Sequence, residues 1–392
     1  MISTKVQVRA VTGRRDLKRF IGFPYRFYRE PAYWASGTPP AKWVAPLRVD
    51  QHAVLNPKKN PFFEHGRIQG FLAEDENGRI VGRIAGIYNG MHLQKYADGN
   101  GFFGFFECIE DYTVAEALFD AAAAWLREQG LTGMRGPTNP SMNDTSGLLV
   151  DGFDRIPSLL MPYNPPYYEG FLTRYGFSRA MTMWAYEITH ETRKVERLER
   201  GVNLLKRRYP ELSVRTLDMS RFDDEAQLVL EIYNDAWSEN WGHVPMTENE
   251  FAHLVSDLKL IIDPNVVYFV EKGDETVGFL IGLPDLNLAL DQIPDGRLFP
   301  FGLIKLLLAK RKIRMMRVPL MGIRKVYQGK GYDALLYHAV TTHGVDEAGY
   351  LGAEMSWLLD SNRPMVQAAQ RIGGYMTKEY AMFEVGVLRT SV

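Results

Sequence analysis

The sequence from residue 318 to residue 336 is Val318-Pro319-Leu320-Met321-Gly322-Ile323-Arg324-Lys325-Val326-Tyr327-Gln328-Gly329-Lys330-Gly331-Tyr332-Asp333-Ala334-Leu335-Leu336. Its apolar beginning predicts a β-strand, and the apolar spacing after Tyr332 predicts a helix. A strand, a glycine turn and a helix N-terminus together favour phosphate binding, because unpaired N–H groups and the helix dipole point at the same place. Gly329 and Gly331 would let the backbone approach an anion closely, and Lys330 adds positive charge. An ordinary strand-to-helix turn is the alternative.

Length and charge restrict the class of protein. The 392 residues are too many for one core and predict about two domains. The 46 basic and 47 acidic residues give a net charge of −1, which argues against a nucleic-acid partner.

The expected location is the cytoplasm. The single cysteine, Cys108, cannot form an intramolecular disulfide, which fits a reducing compartment. No signal peptide and no apolar stretch of about 20 residues is evident. The eight histidines are scattered without ligand spacing, so no metal is expected.

The predicted elements occur in the same order twice. A hairpin, a strand, a helix, a second helix and a closing strand fall within residues 71–188, after a segment at 1–60 whose prolines and aromatic residues predict a packed collar. A related series fills residues 214–387. We therefore expect an N-terminal domain at 1–190, an amphipathic connector helix at 191–210 and a C-terminal domain at 211–392.

The glycine turn resembles the acyl-CoA pyrophosphate loop of the GNAT acyltransferase superfamily, whose pattern is Arg/Gln-x-x-Gly-x-Gly/Ala. Gln328 and Gly331 match it, whereas Asp333 stands where the pattern has a small residue. The resemblance implies an α/β fold with a mixed sheet, built as two tandem GNAT-like domains of which the first is degenerate, because acidic residues follow its third strand. It also implies acyl-CoA as cosubstrate, bound by these residues: Met321, Gly322, Ile323, Gln328, Gly329, Lys330, Gly331, Tyr332, Asp333 and Asn362.

Longer runs are similar to those of a bacterial tandem-GNAT group that includes bacterial ceramide synthases. They are Asn60-Pro61-Phe62-Phe63, Gly136-Pro137-Thr138-Asn139-Pro140 and Met161-Pro162-Tyr163-Asn164-Pro165-Pro166-Tyr167-Tyr168, together with residues 101–107. The resemblance implies transfer of a long acyl chain to a sphingoid base or another lipid amine. A soluble acetyltransferase of a small amine or peptide amine and a non-catalytic acyl-CoA sensor remain alternatives.

Amine acylation requires a proton acceptor for the ammonium group and an acid for the thiolate. We expect Glu354 on the strand after the glycine turn, or His243 in a loop, to accept the proton. Glu107 and Asp144 are further candidates if the first half closes over the acceptor. The resemblance implies a tyrosine acid at the position that Ala369 holds here, so the acid is either absent or supplied from elsewhere. The nearby tyrosines that could supply it are Tyr327, Tyr332 and Tyr375, of which we name Tyr327 as the catalytic candidate.

Residues 297–314 form a basic and apolar insert without an acidic residue, Arg297-Leu298-Phe299-Pro300-Phe301-Gly302-Leu303-Ile304-Lys305-Leu306-Leu307-Leu308-Ala309-Lys310-Arg311-Lys312-Ile313-Arg314. One interpretation is an interfacial helix on an anionic membrane, which would make the protein peripheral on the inner membrane face. The other is a helix packed on the core, with cations at its C-terminus.

Overall fold

A mixed β-sheet of 13 strands runs through the molecule, and the computed structural model describes residues 6–386. The strands, including two in a separate ribbon, are β1 (Gln7–Ala10), β2 (Gly66–Glu74), β3 (Ile80–Asn89), β4 (Asn100–Cys108), β5 (Gly133–Gly136), β6 (Thr138–Asn139), β7 (Thr145–Ser146), β8 (Leu148–Asp151), β9 (Ser178–Thr189), β10 (Leu212–Thr216), β11 (Val267–Lys272), β12 (Glu275–Pro284), β13 (Met315–Ile323), β14 (Gly352–Leu359) and β15 (Tyr375–Val385).

Helices cover the sheet and connect its strands. They are α1 (Gly13–Phe27), α2 (Arg48–Val54), α3 (Gly90–Tyr96), α4 (Tyr112–Glu128), α5 (Tyr168–Tyr175), α6 (Val195–Arg208), α7 (Phe222–Trp237), α8 (Glu248–Lys259), α9 (Asn287–Leu290), α10 (Gly302–Lys310), α11 (Asp333–Thr342) and α12 (Arg363–Arg371). Local sequence explains several of them. In α4, for example, Asp111 caps the N-terminus and the buried Val114, Leu118, Ala122 and Leu126 recur every fourth residue.

The sheet order is β1-β2-β3-β4-β5-β15-β9-β14-β13-β12-β11-β10, with β8 also paired to β15. Within the described residues, β4 with β5 and β13 with β14 are the parallel pairs of this sheet, and the other pairs are antiparallel. The predicted α/β fold with a mixed sheet is therefore confirmed.

The two halves exchange their last strands. β9, the last strand of the first half, lies between β14 and β15, both from the second half. β15 in turn lies between β5 and β9 of the first half. The division at 1–190, 191–210 and 211–392 stays a prediction, and residues 1–5 and 387–392 at its two ends lie outside the described residues.

The α6 segment and the N-terminal segment both contribute apolar side chains to the core. Val202 of α6 is buried, and Leu198 and Leu205 pack partly against the core of the second half. In the N-terminal segment, the aromatic side chains of α1 are buried, and Tyr28 stacks on Trp43 with their rings 4.7 Å apart. The long connection before β2 is thus part of the core of the first half.

Candidate active site

β13 and β14 diverge after a short parallel ladder. Their pairing runs from Met315 opposite Gly352 to Val318 opposite Met355, where it ends. An open cavity of about 770 Å³ lies in the gap, lined on one side by β13 from Val318 onward and on the other by β14, at Ala353 and from Met355 onward. Such a gap exposes backbone groups and apolar side chains along a channel into the sheet.

The glycine turn between β13 and α11 forms part of the cavity wall. Gly329 and Gly331 have φ angles of +73° and +81°, which favour glycine, and a Cβ at Gly329 would meet nothing within 4 Å. Among the described residues, the N–H groups of Gly329, Lys330, Gly331 and Tyr332 donate to no backbone carbonyl. The turn therefore offers several N–H donors beside a helix N-terminus, which suits an anion.

Asp333 is the first residue of α11 and lies in this wall. Burial raises the pKa of its carboxyl group, although hydrogen bonds from its own N–H and that of Ala334 oppose this effect. Its carboxylate therefore lies beside the helix N-terminus, where an incoming phosphate would meet its negative charge.

Nine of the predicted acyl-CoA residues lie together in the cavity wall: Met321, Gly322, Ile323, Gln328, Gly329, Gly331, Tyr332, Asp333 and Asn362. Asn362 also caps α12 by accepting a hydrogen bond from the N–H of Met365. The tenth, Lys330, does not line the cavity; its ammonium group lies 4.9 Å from the ring centroid of Tyr327. The roles of these residues toward acyl-CoA stay predictions.

Tyr327 lines the cavity but its hydroxyl is engaged. The phenol donates a hydrogen bond to Oε2 of Glu275 over 2.6 Å, and this bond is the main reason that its pKa is raised. A phenol held by a carboxylate at the glycine turn is poorly placed to protonate a thiolate in the strand gap.

Glu354 lies on the other face of β14. Its neighbours Ala353 and Met355 line the cavity, whereas Glu354 does not and is only 3% exposed. Its Oε2 lies 2.5 Å from Nζ of Lys378, and its Oε1 has no hydrogen-bond partner among the described residues. The structure therefore does not bring Glu354 to the cavity, and as a base it stays an untested prediction.

His243 is held by the first half. The ammonium group of Lys95 lies 2.9 Å from Nδ1 of His243 and donates to the backbone oxygens of His243 and Ser238. Burial and the Lys95 charge lower the pKa of His243 to about 4. Because Nδ1 accepts from an ammonium group, the proton of the neutral ring is on Nε2, which is buried without a partner. His243 is thus a hydrogen-bond donor rather than a base at neutral pH.

The two carboxylates of the first half differ. Glu107 forms a salt bridge with Arg83. The side chain of Asp144 keeps contact with solvent, yet desolvation by the surrounding protein raises its pKa to about 7, against the opposing hydrogen bond from the N–H of Ser141. Its neighbour Asn143 donates to the carbonyl of Val244 over 3.0 Å, in the loop that follows the cavity residue Trp241. Asp144 is therefore a carboxyl group beside the loop after Trp241 that can exchange a proton near neutral pH, although it is not among the residues that line the cavity.

Four further side chains of the wall were not predicted from the sequence: Tyr337, Trp237, Trp241 and Trp357. Tyr337 donates a hydrogen bond to the sulfur of Met365 over 3.3 Å. Since Ala369 lies one turn after Met365 on α12, Tyr337 reaches from α11 toward the space beside Ala369. Its position four residues after Asp333, hence on the same face of α11, was the available signal.

Helix α10 of the insert presents an apolar surface to solvent. The exposed side chains are Phe299, Phe301, Leu303, Ile304, Leu307 and Leu308, with Leu260 of the neighbouring segment. Leu306 and Ala309 pack partly against the core. Exposed cationic side chains flank the apolar surface, namely Lys305, Lys310, Arg311 and Lys312. Only a narrow stripe of the helix is therefore covered.

None of the described helices has both the length and the apolar content needed to cross a bilayer. Within residues 6–386, no three His, Cys, Asp or Glu side chains come together in a way that could hold a metal ion.

Comparisons with known proteins agree on the fold. No protein-family model matches the chain. It is 37% identical over 377 residues to a bacterial ceramide synthase of Caulobacter vibrioides, with 94% of each chain covered. It is 34% identical over 396 residues to protein YghO of Escherichia coli, covering 98% of this chain and 96% of YghO.

Two solved structures share its architecture. A tandem GNAT protein from the clavulanic acid biosynthesis pathway aligns with a TM-score of 0.56 at 11% identity, covering 99% of this chain and 100% of its own. The glucosamine N-acetyltransferase region of a fungal multi-domain β-N-acetylglucosaminidase gives 0.55 at 13% identity, covering 97% of this chain and 38% of that one. These likenesses confirm the predicted tandem GNAT fold.

Proposed function

The chain belongs to the family of the bacterial ceramide synthase of Caulobacter vibrioides, and from this membership we propose that it is an acyl-CoA-dependent N-acyltransferase with a lipid amine as acceptor. The observation that carries the proposal is the cavity of about 770 Å³ between β13 and β14, with the glycine turn in its wall. The cavity combines anion-binding N–H groups with apolar side chains, as a phosphorylated carrier of an acyl chain requires.

The glycine turn would bind the CoA part of the acyl-CoA donor. The N–H groups at residues 329–332 would bind the pyrophosphate of acyl-CoA, and Asn362 lies on the opposite side of the strand gap, at the start of α12. The tryptophans of the wall, with Leu358 and Leu359, supply an apolar lining for an acyl chain. These residues fit the donor without a metal ion being required to hold it.

In the reaction, the amine nitrogen attacks the thioester carbonyl, a C–N bond forms and the C–S bond breaks. The ammonium proton must leave before or during attack, and the thiolate must gain a proton. We assign the first task to Asp144, because its pKa of about 7 matches neutral conditions and its loop contacts the residues after Trp241. Asp144→Asn should therefore abolish the acidic limb of the pH–rate profile near pH 7.

The exposed apolar face of α10 fits an anionic membrane surface. Its large side chains would enter the acyl region of a bilayer, while the cations from Lys305 to Arg314 would contact phosphate headgroups. A lipid amine and a long-chain acyl-CoA are both held at such a surface, so this contact would bring the enzyme to its substrates.

Thiol release from acyl-CoA tests the proposed function. Palmitoyl-CoA and acetyl-CoA would each be offered with sphinganine, with a short polyamine or without acceptor. We expect release with palmitoyl-CoA and sphinganine. Release only with acetyl-CoA and the polyamine would instead identify a soluble acetyltransferase, and tight acyl-CoA binding without release from any pair would favour a sensor.

Vesicle sedimentation tests the membrane contact. Replacing Leu307 and Leu308 with serine should release the protein from vesicles that contain phosphatidylglycerol. The matched control is Leu204→Ser on α6, where the leucine is 65% exposed but lies outside the insert. If the α10 variant instead changes only the oligomeric state, the apolar face joins two copies of the chain.

A further inference from the structure

A cationic cleft lies between α1 and α2 of the first half and the start of the insert, and it shares no lining residue with the cavity between β13 and β14. It consists of two adjoining cavities of about 480 Å³ each, which have Arg26, Arg48 and Arg297 in common. The wall of the first contains six basic residues and no acidic one: Lys18, Arg19, Arg26, Arg48, Arg79 and Arg297. The second adds Arg29, with Glu30 and Asp295.

Most of this positive charge is not neutralised by the protein. Arg19 pairs with Glu74 over 2.7 Å, but within residues 6–386 the other five basic side chains of the first cavity form no ion pair. Burial, with the charges of Arg297 and Arg29, lowers the pKa of Arg48. Like charges gathered in one cleft repel each other, and an anion would remove that cost.

Two of the arginines are held rigidly. The guanidinium carbon of Arg48 lies 3.8 Å from the ring centroid of Tyr25, and its Nε donates to the carbonyl of Asp295 over 2.8 Å. Arg79 lies at the same distance from the ring of Tyr33, and its Nη2 is buried with no hydrogen-bond partner among the described residues. Fixed guanidinium groups with free N–H donors lose little entropy when they bind an oxyanion.

Gly22 provides the space between these cations. Lys18, Gly22 and Arg26 follow one another at four-residue spacing on one face of α1. A Cβ at Gly22 would meet only Nη1 of Arg48, at 3.9 Å. Any larger side chain there would enter the cleft beside Arg48.

We propose that this cleft binds the phosphate group of an anionic ligand, which is either the headgroup of a phospholipid or a free phosphate ester. The planar forks of Arg48 and Arg79 suit phosphate oxygens. The exposed Phe299 and Phe301 lie two and four residues after Arg297, so a phospholipid could place its phosphate in the cleft and its chains beside α10. The site does not depend on the transferase activity.

The test compares Gly22→Asp with Gly22→Asn in the full chain. The two side chains have nearly the same size and the same position on α1, but only aspartate brings a negative charge beside Arg48. Binding would be measured to vesicles of phosphatidylcholine with phosphatidylglycerol, and separately to glycerol 3-phosphate in solution. Acyl-CoA affinity would be recorded for both variants, because the glycine turn should be unaffected.

We expect Gly22→Asp to bind at least one probe tenfold or more weakly than Gly22→Asn. A difference confined to vesicles identifies a lipid headgroup, and a difference with glycerol 3-phosphate identifies a free phosphate ester. The proposal would be overturned if the two variants bound both probes equally. It would also be overturned if Gly22→Asp lost as much binding to vesicles whose negative charge comes from oleate as to vesicles that contain phosphatidylglycerol. The double variant Arg26→Gln, Arg79→Gln, compared with Lys58→Gln, Lys59→Gln outside the cleft, repeats the test without altering α1 at Gly22.

Discussion

Tyr337 is the tyrosine whose surroundings best fit the missing acid of α12. Its hydroxyl has a weak sulfur acceptor, Met365, and its ring lines the cavity. Burial raises its pKa, so the phenol stays protonated at neutral pH and can donate. We predict that Tyr337→Phe lowers kcat by about 10²-fold with little change in the KM for acyl-CoA, because general acid catalysis typically contributes that much.

Steady-state thiol release against acyl-CoA concentration measures this effect. Tyr327→Phe is the comparison, because its hydroxyl is bound to Glu275 at the glycine turn. A larger loss of kcat in Tyr327→Phe than in Tyr337→Phe would return the acid role to the residue that the sequence favoured.

Asp333 should weaken the binding of acyl-CoA at high pH. An ordinary aspartate has a pKa of about 4. Burial raises the pKa of Asp333, so its carboxyl group takes up a proton at a higher pH than an ordinary aspartate does. As pH falls through the raised value, the charge next to the glycine turn is lost and the affinity for the pyrophosphate should increase. Asp333→Asn should bind acyl-CoA several-fold more tightly at pH 8.

Calorimetric titration with free CoA, the product that carries the same pyrophosphate, measures this affinity at several pH values for the wild type and for Asp333→Asn. The variant should lose the part of the pH dependence that belongs to Asp333, whereas the titration of CoA itself remains in both proteins. Weaker binding by Asp333→Asn would mean that the carboxylate supports the turn more than it repels the ligand.

At the scale of elements, the loop between α7 and α8 connects the halves through a pH-sensitive contact. The pKa of His243 falls from 6.5 to about 4 in the folded protein, so between these values the unfolded chain binds more protons. The stability contributed by neutral His243 is complete above pH 6.5 and is lost as pH falls toward 4. We predict that the wild type loses about 2 kcal/mol more than His243→Gln between pH 7.5 and pH 5.

Urea unfolding at the two pH values measures this difference. His253→Gln on α8 is the matched control, because that histidine is exposed. The wild type must be compared with the variant because Asp144 also changes the stability in this pH range. Its pKa is raised in the folded protein, so its contribution to the free energy of unfolding has the opposite pH dependence. Equal losses in the wild type and His243→Gln would show that the contact with Lys95 does not depend on the charge of the ring.

The sequence predicts the elements whose signals are local. The strand, the glycine turn and α11 follow from residues 318–336, and nine predicted donor-site residues do lie in one cavity. Glu354 shows the limit, since a strand has two faces and its position on the face away from the cavity follows from pairing with β9 and β13. His243 shows another, because its partner Lys95 is 148 residues distant in the chain.

At the scale of the whole molecule, the exchange of β9 and β15 makes each half incomplete without the other. A chain ending after β9 would leave that strand without β14 and β15, and β5 without β15. The shared region contains Met183 and Tyr380, which face each other in the register and are fully buried. Exposed strand edges and apolar side chains of this kind favour aggregation.

We therefore predict that residues 1–192 and 193–392 are each insoluble when expressed alone and form a soluble complex when expressed together. Affinity purification through a tag on one piece, followed by gel filtration, measures their association. Met382→Asp in the second piece should abolish it, because Met382 is buried in β15 between β5 and β9. A first piece that is soluble, monomeric and cooperatively folded by itself would contradict the prediction, since it would have to close its sheet without β15.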